Sequence, residues 1–92
     1  MSDSKQTPEF EMEFPQRFAV KAMGEAGKDF ESHVTALILS TAEQDVPLAV
    51  AARESKNGKF TSVTVDITAT SRQQLDNIYQ ALTDDDRVLM AL

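Results

Sequence analysis

The pair Asn57-Gly58 most narrows what this chain can fold into. Asn-Gly is the dipeptide that accepts the positive φ angles of a two-residue hairpin loop at least cost. With that loop, Lys56 stands opposite Lys59, two like charges at a solvated tip, and a slightly longer loop containing the same Gly58 also fits the pattern. Continuing the count, Ala52 faces Val63, Val50 faces Val65 and Leu48 faces Ile67, all on one face, as a period of two requires. The other face pairs Arg53 with Ser62, Ala51 with Thr64 and Ala49 with Asp66. A slip of one residue would turn Val63, Val65 and Ile67 outward, so turn chemistry and hydrophobic alternation select the same register.

The remaining elements follow from periodicity. Gln16 to Met23 reads as a strand, with Phe18, Val20 and Ala22 on one face and Arg17, Ala19, Lys21 and Met23 on the other. Asp29 to Ala42 reads as a helix whose stripe is Phe30, Val34, Leu37, Ile38 and Thr41. A second helix spans Ser71 to Leu82, opened by the capping-box pair Ser71 and Gln74, with Leu75, Ile78, Tyr79 and Leu82 facing the core. Arg87 to Leu92 reads as a last strand with Val88, Met90 and Leu92 on one side. The order β-α-β-β-α-β, with one apolar stripe per helix, predicts an α+β fold. Its form is a two-layer ferredoxin-like sandwich: a four-stranded antiparallel sheet, two helices on one face, and the first and third strands central. Residues 1–13 are expected to be a flexible acidic N-terminal tail and residues 14–92 a single domain; the acid–apolar alternation from Glu9 to Phe14 reads as a lead-in anchored by Phe14, with an edge strand, a short helical turn or a separate partner-binding motif as the alternatives.

Composition excludes several functions. The 92 residues contain no cysteine, which removes disulfides, thiolate metal sites and cysteine nucleophiles. A net charge of −6 argues against nucleic acid and anionic membrane as partners. No apolar run has the roughly 20 residues of a membrane span, and no basic-then-apolar leader opens the chain, so a cytoplasmic protein is expected. The lone histidine, His33, reads as a residue at the rim of the helix stripe. Asp84-Asp85-Asp86 reads as a solvated turn, because it lacks the spaced ligands of a calcium loop. Gly24 to Gly27 reads as a plain turn. No catalytic set, metal site or cofactor motif is found, so no enzymatic activity is expected.

Two groups of residues stand out as candidate contacts. Residues 53–59 carry three cations (Arg53, Lys56, Lys59) against one carboxylate, a net +2, while the other six cations and fourteen carboxylates leave the rest of the chain at −8. With Phe60 beside it, this tip is the candidate contact for an acidic protein partner, although charges on an edge strand also guard against aggregation. The second group is the open face of the sheet, where Lys21 and Asp66 are expected to approach each other near Ser62, a candidate contact for a small polar ligand. Oligomeric state is not readable.

Three segments together resemble the YbeD-like family of small bacterial proteins: Phe14-Pro15 followed by Phe18, Lys21 and Met23-Gly24; Ser55-Lys56-Asn57-Gly58-Lys59-Phe60-Thr61-Ser62-Val63; and the C-terminal Val88-Leu89-Met90-Ala91-Leu92. The resemblance runs from Phe14 to Leu92; Phe60 stands where the family often has Tyr. It implies a ferredoxin-like fold close to the ACT regulatory domains, with no settled activity. By that analogy the chain is a regulatory or protein-interaction domain. The alternative is an ACT-like small-molecule sensor, linked through the family to lipoate metabolism.

Overall fold

A computed structural model describes residues 12–92. Its elements are β1 (Gln16–Glu25), α1 (Phe30–Ala42), β2 (Ala49–Glu54), β3 (Phe60–Ala69), α2 (Arg72–Asp84) and β4 (Val88–Ala91). The sheet order is β2-β3-β1-β4, every neighbouring pair antiparallel, so the first and third strands are central as the pattern requires. The expected acidic tail falls almost wholly in residues 1–11, outside the described residues. Met12 and Phe14 pack against the core, and the Phe14–Pro15 peptide bond is cis.

The core lies between the sheet and the two helices. Val20 and Ala22 of β1 and Val63, Val65, Ile67 and Ala69 of β3 meet Phe30, Val34 and Ile38 of α1 and Leu75, Ile78 and Leu82 of α2. β3 alternates buried and half-buried along its whole length, the signature of a central strand with one covered face. α2 starts where Ser71 Oγ accepts from the Gln74 N–H. The Gln74 side chain takes the N–H of Thr70 rather than that of Ser71, and it also donates to Ala42 O, tying the start of α2 to the end of α1.

The β2–β3 register agrees with the sequence count: Ala49 with Asp66, Val50 with Val65, Ala52 with Val63, Arg53 with Ser62. The loop itself differs. It closes one residue earlier, where Ser55 N–H donates to Phe60 O, and only Gly58, at φ 75°, takes the left-handed region. Lys56 and Lys59 are therefore loop residues, not a cross-strand pair, which removes the like-charge juxtaposition. Leu48 also departs from expectation. It lies outside β2, half exposed, and does not face Ile67. There the Gln44 side chain substitutes for a strand, donating to Thr68 O at 2.6 Å and accepting from Thr68 N–H at 3.3 Å.

β4 carries the largest correction. Gly24 pairs with Val88 but Met23 with Met90, so Leu89 is an extra residue in a bulge. Val88 and Ala91 consequently pack against the core, while Met90 and Leu92 turn to the open face instead of joining Val88.

Candidate functional site

The hairpin tip is built by its own side chains. Ser55 Oγ donates to Asn57 Oδ1 and accepts from the Phe60 N–H, and Asn57 Oδ1 also accepts from the Lys59 N–H. The Gly58 N–H donates to Ser55 O at 2.9 Å, and Lys59 O accepts from the Ala26 N–H, which pins the loop to the end of β1. Short polar side chains that bond their own turn fix a loop without needing a core. The backbone is thus held while Arg53, Lys56 and Lys59 stay exposed, none with a hydrogen-bond or ion-pair partner among the described residues. Phe60, half-buried, lies on the open face.

The open face separates the second group of candidates. Asp66 is held by Arg17, with Nε at 3.0 Å and an Nη nitrogen at 2.9 Å, rather than by Lys21 as expected. Lys21 pairs across the strands with Thr64, one register step diagonal to both Ser62 and Asp66. Four residues of strand separate Ser62 from Asp66, roughly 13 Å, so these two do not converge on one small ligand. Ser62 instead lies opposite Arg53 on one side and Met23 on the other, which joins it to the base of the hairpin tip. Beyond Met23, the half-exposed Met90 and the exposed Leu92 make an apolar margin on this face.

On the other side of the sheet, β2 extends beyond the helices. A groove of about 530 Å³ runs between it and the start of α1, lined by Lys28, Glu31, Ala52, Arg53, Glu54 and Thr61. It continues as about 310 Å³ beside Val50, Ser32 and Thr35. The Thr35 hydroxyl is buried there without a hydrogen-bond partner.

His33 and the aspartate turn, expected to be a rim residue and a solvated loop, form one network. His33 Nε2 lies 2.8 Å from Asp85 Oδ2, the Arg87 N–H donates to Asp85 Oδ1, and the Arg87 guanidinium makes two bonds to Asp29. The same guanidinium stacks over Phe30 at 5.8 Å. The Arg87 bonds and charge hold the Asp29 carboxyl below the usual carboxylate range. For Asp85, burial pushes the carboxyl up, but the Arg87 N–H and His33 bring it below that range on balance. This cluster clamps the start of α1 to the turn before β4. Among the described residues no group of three or more His, Asp or Glu side chains is arranged to hold a metal ion. No helix there is long and apolar enough to cross a membrane.

Periodicity could not reveal the Arg17–Asp66 pair or the lining of the groove by Lys28 and Thr35, because each is set by elements distant in sequence. The cations of the tip were visible because they all fall within residues 53–59.

Comparison with known proteins bears on the family and the fold. A UPF0250 protein of Chromobacterium violaceum is 46% identical over 92 residues, covering all of both chains. The UPF0250 protein NE1487 of Nitrosomonas europaea is 38% identical over 86 residues, covering 94% of this chain and 99% of that one. The solution structure of HP0495 from H. pylori superposes with a TM-score of 0.72 at 20% identity, covering 100% of this chain and 94% of that one, which supports the fold alone. Residues 9–92 match the family model described as "Protein of unknown function (DUF493)", and the chain belongs to that family, the YbeD-like small bacterial proteins.

Proposed function

We propose that this protein is a non-enzymatic interaction module of the cytoplasm, regulatory in role, that engages an acidic protein surface through its hairpin tip. The observation that carries this reading is the tip itself. Three cations without a side-chain partner among the described residues sit at the end of β2 (Arg53) and on the loop that follows (Lys56 and Lys59), a loop held by six hydrogen bonds, one of them from Ala26 just past β1. Preorganised cations lose little entropy on binding and steer an oppositely charged partner. The sensor alternative is less favoured, because Asp66 is already paired with Arg17 and Ser62 lies too far from it.

The test is affinity capture from the native cytosol with wild type and with Arg53, Lys56 and Lys59 all changed to Ser. The expected result is loss of specific co-purifying proteins at low salt. An unchanged set overturns the tip as the contact.

A further inference from the structure

We propose that β2 is a docking edge. It takes an extended segment of a partner protein as a fifth strand, with apolar side chains set into the groove against α1 and acidic ones on the open face. The inference rests on the interaction-module reading only for its charge preference; the edge and groove stand apart from the tip.

Among the described residues β2 has one strand neighbour, β3, and its other edge is unpaired. The Ser55–Phe60 bond sets the hydrogen-bonding phase of the ladder, so Arg53, Ala51 and Ala49 direct their N–H and C=O groups to β3. Val50, Ala52 and Glu54 direct theirs outward. A free edge is normally guarded by charge, proline or a bulge. Here the only charges within the strand are Arg53 and Glu54 at its hairpin end, while Ala49, Val50, Ala51 and Ala52 are small and uncharged. The outward backbone groups are therefore accessible over the middle of the strand.

The two faces of β2 differ in what they offer an added strand. Toward the helices lie Val50 and Ala52, with the Thr35 hydroxyl unpartnered on the α1 wall and open volume between. Glu31 and Glu54 line that side together with Lys28 and Arg53, so the groove carries no net charge to favour an acidic side chain, and beside Val50 and Ala52 apolar ones fit. Toward the open face lie Ala49, Ala51 and Arg53, leading to the tip cations Lys56 and Lys59. A strand alternating apolar and acidic residues matches both faces at once, and main-chain hydrogen bonds supply the rest, the usual division of labour in strand addition. A second copy of this chain is a poorer occupant. Its own edge would bring only Val50 and Ala52 to the groove, and two chains of net charge −6 would lie side by side.

The test uses amide hydrogen exchange and NMR on the whole chain with a short synthetic peptide alternating valine and glutamate. Expected is protection of the Val50, Ala52 and Glu54 amides on adding peptide, with little change at Ala49, Ala51 and Arg53, which are already bonded. A matching valine–lysine peptide should give no protection. Ala52→Pro removes an outward N–H at a place where an edge strand tolerates proline. It should keep the dispersed spectrum of the folded protein and weaken the peptide by roughly tenfold or more, the scale of losing one or two backbone bonds. Peptide shifts confined to Lys56–Lys59 without protection of the three outward amides overturn the docking edge while leaving the tip contact standing. A dimer with those amides protected before peptide is added also overturns it, in favour of self-pairing. Protection at β2 that survives the Arg53, Lys56 and Lys59 to Ser changes at saturating peptide supports the edge as the part that holds the partner.

Discussion

Gly24 has no freedom to change. A Cβ built there would collide with the Arg87 carbonyl oxygen, which is rigid backbone, and stand 2.6 Å from the Phe30 ring. The Met23-Gly24 pair thus marks the place where β1, the turn before β4 and α1 come closest. Gly24→Ala is expected to lower stability by about 2–3 kcal/mol, read as a reduced urea midpoint at unchanged slope. Glu43 is the opposite case. It ends α1 at φ 60°, a left-handed position that favours glycine, and its side chain is exposed. Glu43→Gly is expected to raise stability by about 0.5–1 kcal/mol in the same measurement. A glycine at Gly24 was visible in the sequence, but its reason was not, because Arg87 and Phe30 approach it from elements far along the chain.

At the scale of elements, legibility followed redundancy. The β2–β3 register was readable because the Asn57-Gly58 turn and the alternation of Val63, Val65 and Ile67 each specified it, and the sum of paired positions is unchanged by closing the loop at Ser55 and Phe60. β4 had no such check. Val88-Leu89-Met90-Ala91-Leu92 is apolar in either phase, so nothing local announced the bulge at Leu89 that sends Met90 outward. The link between α1 and the turn before β4 was equally hidden, since His33, Asp29, Asp85 and Arg87 each look like ordinary surface residues. Its consequence is a pH dependence. Asp29 and Asp85 have folded-state carboxyls below their unfolded values of about 3.9. Their contribution is present above that value and is lost as pH falls through the folded-state values. Urea unfolding between neutral and strongly acid pH should therefore show Arg87→Ala less stable than wild type at neutral pH, with the gap closing below about pH 4. A gap that stays constant into acid would mean that Arg87 acts through its packing on Phe30 alone.

For the whole molecule, charge is distributed against the fold's own average: an acidic body carries one basic projection. An acidic partner is repelled by most of the surface and attracted at the tip, which orients encounter more than it holds the complex. Backbone pairing along β2 would act on the other rate, because strand-to-strand bonds must break before release. The two parts of the surface are thus separable by kinetics. Changing Arg53, Lys56 and Lys59 to Ser takes the formal net charge from −6 to −9. At low ionic strength this triple change should slow association of the valine–glutamate peptide by on the order of tenfold, with little effect on dissociation. The difference from wild type should shrink toward nothing near 1 M salt, where the Debye length falls to about 3 Å. Ala52→Pro should do the reverse, leaving association near the wild-type value and speeding dissociation at every salt concentration. Stopped-flow measurements on both variants across a salt series decide the matter: if the triple variant changes dissociation alone, the tip binds rather than steers, and the separation of roles between tip and edge is wrong.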